Sequence, residues 1–362
     1  MASVSSTGTP VWTWAWLLLA LIVLGIHITF SPGRLFAAEA VALVGTVFVA
    51  VYHAEVVALR VGEPFGTLVL ALAVTIIEVA LIVSMMIMSA ETDIAVLARD
   101  TVFAAVMVVC NGIMGLCLLA GGVRHREQVF QLQGAKAALS VLIALTTLTL
   151  VLPNVTSATS GPTFNQPQLV FAAIVSLILY GSFLFVQTIR HRDYFLPPET
   201  DGKESPVVPL PNRIALLSAG LLLVSLVVVV ALAKALTPAL ERGVVAVGAP
   251  RSVVGIAIAS LVLLPEGLAS YRAAKANRMQ TSVNLALGSA LATIGLTIPV
   301  VATTSIGLHK PLVLGLGAKE ELLLALTLIL SLLTIGTGRT TVLQGIVHLV
   351  LFAVFLFFAV VP

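Results

Sequence analysis

The sequence predicts an all-α polytopic membrane protein of about eleven transmembrane helices, one extra N-terminal helix followed by a five-plus-five inverted repeat. Three observations carry that prediction. Of 362 residues, 59% are hydrophobic and 10% charged, and mean hydropathy is +1.12, which leaves too little polar surface for a water-solvated fold. Apolar runs long enough to cross a hydrocarbon core recur between short polar breaks. One break is the longest and, with the first run set aside, leaves five runs before it and five after. A soluble enzyme, a nucleic-acid binder and a β-barrel are disfavoured together. The net charge of +3 is spread over many loops and reports membrane orientation rather than a polyanion partner.

The apolar runs are 11–31, 35–59, 66–90, 100–121, 135–152, 167–189, 213–236, 252–272, 282–306, 320–336 and 341–361. The first has no Lys or Arg before it and no small-residue cleavage site, and it carries Trp12, Trp14 and Trp16 as an interfacial anchor. It therefore reads as a true span. Alternating loops between the two sides puts twelve Lys and Arg on the N-terminal side and seven on the other. The positive-inside rule then places the N-terminus in the cytoplasm and the C-terminus outside, in a bacterial cytoplasmic membrane.

The long break, 191–212, contains Pro197, Pro198, Pro206, Pro209 and Pro211 and cannot bury enough apolar surface to fold alone. It gives four units: the extra helix in 1–34, a first repeat in 35–190, the cytoplasmic linker in 191–212 and a second repeat in 213–362. Five is odd, so matching helices of the two repeats cross in opposite directions. In secondary transporters that arrangement puts the substrate site at the repeat interface near mid-membrane. Cys110 and Cys117 are seven residues apart on one helix, about 10 Å along its axis, too far for a disulfide, and read as packing residues.

Four acids fall inside predicted spans: Glu39, Glu55, Glu78 and Glu266. A carboxylate at mid-helix costs about 2.5–3.5 kcal/mol on insertion scales, so depth separates them. Glu39 and Glu55 lie near helix ends, where reaching the headgroups or capping is enough to explain them. Glu78 is flanked by apolar residues on both sides. Glu266 sits between Pro265 and Gly267, and the proline ring frees a backbone carbonyl about one turn upstream. Glu78 and Glu266 also occupy matching helices of the two repeats, the third and eighth spans, and are expected to meet across the pseudo-symmetry interface.

Two facing carboxylates suit a divalent cation, since they neutralise its charge while carbonyls, hydroxyls and waters complete a shell of six to eight oxygens. Without the ion both cannot stay charged cheaply, and at least one takes up a proton. Cation and proton therefore compete for one site, which is the minimal mechanism of an antiporter. The candidate lining groups are Asn111, Gln280, Asn284, Ser289 and Thr293, with Ser289, Thr293 and Thr297 recurring every four residues as a polar stripe. His53 and Glu55 are further candidates, and His348 is a candidate proton relay. The partners expected are Ca²⁺, Na⁺ or K⁺ with H⁺ as transported ions, and membrane lipid. No resident cofactor, no nucleic acid and no enzymatic motif such as HExxH or GxSxG is expected.

At these residues the chain resembles the calcium/proton antiporters of the cation exchanger superfamily, and most closely their ChaA-type bacterial branch. The resembling stretches are Tyr52 to Val57, Gly62 to Thr67, the segment around Glu78, Leu264 to Gly267, Asn277 to Pro299 and Gly336 to Thr340. The resemblance implies an eleven-helix exchanger in which Glu78 and Glu266 bind the cation and exchange it for protons. It also implies Ca²⁺/H⁺ exchange, with Na⁺/H⁺ or K⁺/H⁺ exchange through the same site as the alternative. One departure bears on that choice. The superfamily places Gly-Asn three residues before each acid, whereas this chain has Val74-Thr75 and Val262-Leu263 there. The central loop also lacks the acidic, histidine-containing run of relatives.

Overall fold

The computed structural model describes residues 9–29, 35–62, 65–88, 91–196, 211–246, 248–250 and 252–361. Among them are twelve α-helical stretches: α1 (Val11–Thr29), α2 (Phe36–Val61), α3 (Phe65–Met88), α4 (Glu91–Met107), α5 (Met114–His125), α6 (Leu132–Thr146), α7 (Gln166–Phe185), α8 (Asn212–Ala246), α9 (Ser252–Lys275), α10 (Met279–Leu308), α11 (Ala318–Gly336) and α12 (Val342–Val360). Helices α4 and α5 are one column, joined by a π-helical turn at Val108–Ile113, so the described residues form eleven columns. Nine are long and apolar enough by themselves to cross a membrane. Helix α11 begins with Lys319, Glu320 and Glu321, and the continuous apolar stretch described for α3 is the shorter Leu72–Ser84. Most of the proline-rich break, 197–210, lies outside the described residues.

The number of crossings can be checked from contacts between helix ends, because only ends on the same side of the bundle can touch. On one face, Arg60 Nε donates to Asn212 Oδ1 at 2.8 Å. There too the strand β1 (Gln128–Val129) pairs antiparallel with β2 (Arg339–Thr340), and Gln128 Nε2 donates to the Ala274 carbonyl at 2.8 Å. On the other face, Lys310 Nζ donates to Met86 O at 2.9 Å, Arg99 to Gly315 O at 3.0 Å and Lys319 to Phe358 O at 2.9 Å. Every such link joins loops separated by an even number of columns, so the contacts agree with eleven crossings. Helix α1 starts on the first face and α12 ends on the second.

The two halves are interleaved reciprocally. Helix α10 of the second half packs on α7 and α3 of the first, while α4–α5 of the first packs on α12 and α9 of the second. That exchange of partners is what an inverted pseudo-two-fold axis produces. Helix α2 packs along α8, its counterpart. Close approach is set by glycine: a Cβ on Gly345 would lie 2.5 Å from Leu119 N, and one on Gly115 would lie 2.9 Å from Leu349 Cγ, so α5 and α12 touch almost backbone to backbone.

Helix α1 leans on α2 through Trp16, whose ring lies over Gly45, and through Trp12, edge-on to Tyr52 at 5.3 Å. The tryptophans thus include packing contacts beside the expected interfacial anchor. Glu39, expected to reach the headgroups, is instead 1% exposed and paired through Oε1 with His27 Nδ1 of α1 at 2.7 Å. The extra helix covers it. Cys110 and Cys117 are both free and buried.

Candidate functional site

Helix α10 organises the site. It is packed on α3 and on α9, and its stripe of hydroxyls recurs every four residues, so successive members point the same way about 6 Å apart along the axis. Thr293 Oγ1 donates to Glu78 Oε2 at 2.6 Å. One turn earlier, Ser289 Oγ donates to Glu266 Oε2. The two deep acids, on α3 and α9, are thereby brought to adjacent turns of one helix.

Both acids lie at mid-column. Glu78 is thirteen residues from the start of α3 and ten from its end, about 20 Å and 15 Å at helical rise, and Glu266 is placed similarly on α9. Glu78 is 3% exposed and Glu266 8%. Glu78 Oε1 is buried with no hydrogen-bond partner among the described residues, so a strong acceptor is left for a proton or a cation to satisfy. Pro265 stays within α9. Its ring cannot donate to the Leu261 carbonyl, which is oriented along the same helix one turn from Glu266.

The remaining predicted lining groups are not gathered at this pair. Asn111 sits in the π-helical turn, donating from Nδ2 to Thr327 Oγ1 at 2.9 Å and accepting at Oδ1 from His348 Nδ1 at 3.0 Å. Gln280 and Asn284 lie at the first-face end of α10. Asn284 Nδ2 donates to Phe195 O at 2.6 Å, Gln280 Nε2 donates to Asn284 Oδ1 at 3.0 Å, and Gln280 Oε1 accepts from Gln131 N at 2.5 Å. Their amides hold the start of the linker. His53 is fully buried on α2, with both ring nitrogens unpartnered among the described residues, and Glu55 is half-buried on the same helix. Neither gives the carboxylates a hydrogen bond among the described residues. Sequence reasoning missed Thr334 and Thr327, which bind His348 and Asn111; their seven-residue spacing on α11 was the available signal.

Among the described residues no group of three or more His, Cys, Asp or Glu is close enough to hold a metal ion. Carboxylates with flanking hydroxyls offer hard oxygen donors, the ligand type hydrated cations take and one that protons compete for.

A family model described as "Sodium/calcium exchanger protein" matches residues 34–189 and 217–361, two stretches on either side of the linker. The "Putative ionic transporter y4hA" of Sinorhizobium fredii is 50% identical over 99% of this chain and 98% of its own length. The "Sodium-potassium/proton antiporter ChaA" of Escherichia coli is 37% identical over 87% of this chain and 86% of its own. In fold, the chain is similar to the H⁺/Ca²⁺ exchanger CAX, with a TM-score of 0.72 at 17% identity over 98% of this chain and 89% of that one. With two matched halves, an interleaved eleven-column bundle and relatives of full length, the chain belongs to the sodium/calcium exchanger protein family and is a multi-pass membrane transporter rather than an enzyme.

Proposed function

We propose that the protein is a cation/proton antiporter that exchanges Ca²⁺ for H⁺ by alternating access, with Glu78 and Glu266 as the shared site. The observation that carries this reading is the pair of hydrogen bonds from adjacent turns of α10, Thr293 to Glu78 and Ser289 to Glu266, which hold two buried carboxylates on one helix near the middle of their own columns. Each hydroxyl donates to its carboxylate, so its own oxygen keeps lone pairs for a cation. Loaded with a divalent cation, or with protons, the site is near neutral. Empty and doubly charged it is costly to move through the hydrocarbon, and that cost couples the two fluxes. One pH unit supplies about 1.4 kcal/mol per proton, so two protons drive roughly a hundredfold gradient of the exchanged ion.

A second reading, exchange of Na⁺ or K⁺ for H⁺, is favoured by 37% identity to the sodium-potassium/proton antiporter and by the absence of an Asn before either acid. The face carrying β1, β2 and the linker, with the larger share of Lys and Arg, is assigned to the cytoplasm of a bacterial cell.

The test uses everted vesicles holding an internal acid load and a pH dye, to which Ca²⁺, Na⁺ and K⁺ are added separately. Ca²⁺ is expected to release protons, and Glu78→Gln or Glu266→Gln to abolish that release. A response to monovalent ions alone would overturn the calcium assignment. Normal exchange by either glutamine variant would remove the site.

A further inference from the structure

A buried polar chain joins the π-helical turn of column α4–α5 to α11 and α12, and no step of the exchange above uses it. It begins at Leu323 O, which accepts from Thr327 Oγ1 at 2.7 Å. Thr327 has then spent its only hydrogen, so its oxygen accepts from Asn111 Nδ2, and Asn111 is left with Oδ1 facing His348 Nδ1. An amide oxygen only accepts. His348 must therefore carry its proton on Nδ1, and its Nε2 accepts from Thr334 Oγ1 at 3.0 Å. All four side chains are buried. The donors and acceptors match with a neutral imidazole, so the chain is satisfied internally and ties three helices together.

What it fastens is the π-helical turn Val108–Ile113, where α4 takes on one extra residue before becoming α5. That turn touches α9, α10, α11 and α12. Asn111 ties its outer side to α11 and α12, while two residues on, Ile113 closes against Gly267, where a Cβ would lie 3.2 Å from Ile113 Cδ1 and Cγ1. Gly267 is the residue after Glu266, in a helix already lacking the hydrogen bond that Pro265 cannot make.

We infer that Asn111 and His348 are positioning residues for the cation site: through the π-helical turn and the Ile113–Gly267 contact they fix the stretch of α9 that aims Glu266 at Ser289. The inference rests on the reading of Glu78 and Glu266 as the exchange site. Because it concerns the aim of a ligand and not its presence, its signature is in the concentration of cation needed and not in the maximal rate.

The test is made on the full chain in proteoliposomes, with Ca²⁺ and Na⁺ titrated separately against an internal pH dye. Asn111→Ala and His348→Ala are expected to raise the half-saturating concentration of the exchanged cation by about tenfold, with maximal rate held within about threefold. The double variant is expected to match the singles, since the two act as one unit. His348→Gln, whose amide can donate to Asn111 and accept from Thr334, is expected to recover most of the loss. From the other end of the path, Gly267→Ala is expected to weaken half-saturation, and Ile113→Val, which removes the crowding methyl, to restore it. That pair tests the contact even where the alanine variants at Asn111 and His348 do not assemble. Wild-type half-saturation in both alanine variants, or loss of maximal rate alone, would overturn the inference. Exchange surviving in Glu266→Gln would instead remove the underlying site, and the two failures are thus told apart.

Discussion

Helices α10 and α4–α5 are counterparts in the two halves, yet they treat their polar side chains in opposite ways. Helix α10 is an uninterrupted α-helix whose hydroxyls point inward at two carboxylates. Column α4–α5 is broken by a π-helical turn, and its one amide, Asn111, points outward to α11 and α12. The same contrast holds in their packing. Gly288 of α10 has open space around it, while Gly112 in the π-helical turn and Gly115 of α5 are pressed against Phe352 and Leu349 of α12. An inverted repeat doubles the frame, and of the two counterpart columns it is α10 whose hydroxyls bind the buried carboxylates, while α4–α5 is packed close against α12.

The largest effect that could break this comparison is loss of both hydroxyls from α10. The double variant Ser289→Ala/Thr293→Val keeps side-chain volume nearly constant and removes both carboxylate hydrogen bonds. Bonds to charged groups are worth roughly 1.5–3 kcal/mol each, so exchange at sub-saturating cation should fall about a hundredfold or more. Initial rates of proton release in the vesicles measure it. If this variant and Asn111→Ala prove equally mild, the two helices do not differ in the way described.

Next in size is the packing contrast. Gly345→Ala puts a Cβ 2.5 Å from the Leu119 backbone nitrogen, where no flexible side chain can yield. It should cost about 1–3 kcal/mol and lower the melting temperature of the detergent-solubilised protein. Gly288→Ala, with nothing in its way, should leave that temperature unchanged or raise it slightly, since glycine inside a helix is worth about 0.5–1 kcal/mol less than alanine. Equal shifts for the two would erase the distinction between a packed wall and an open face.

These contrasts also mark where the sequence could be read and where it could not. The eleven columns were legible because hydrocarbon thickness imposes a length on every apolar run, and Glu78 and Glu266 because a carboxylate at mid-column is expensive. Ser289 and Thr293 stood out through their four-residue period. Asn111 stood out as an amide beside Gly112 within a span, yet it binds Thr327 and His348; it lies in a π-helical turn, whose extra residue a count at 3.6 residues per turn does not foresee. Glu39 looked solvated until its partner was known: His27 reaches it from a separate helix, and only the crossing of α1 over α2 brings them together. Gln280 and Asn284 failed as ligands for a related reason. Their amides bind the backbone of Tyr194 and Phe195, carbonyls that carry no side-chain signature at all.

That linker contact yields the smallest expected effect and separates the two ends of α10. Asn284 and Ser289 are five residues apart on one helix, but Asn284 holds Phe195 O, and Phe195 packs edge-on against Phe183 at 5.8 Å. Asn284→Ala unties a strap at the end of the helix and leaves the hydroxyl stripe intact. A neutral hydrogen bond contributes about 0.5–1.5 kcal/mol, so a small loss of thermal stability is expected, with half-saturation by cation within about twofold of wild type. A larger shift in half-saturation, without a matching loss of stability, would mean that the linker end of α10 reaches the carboxylates after all, and the division of labour along this helix would have to be redrawn.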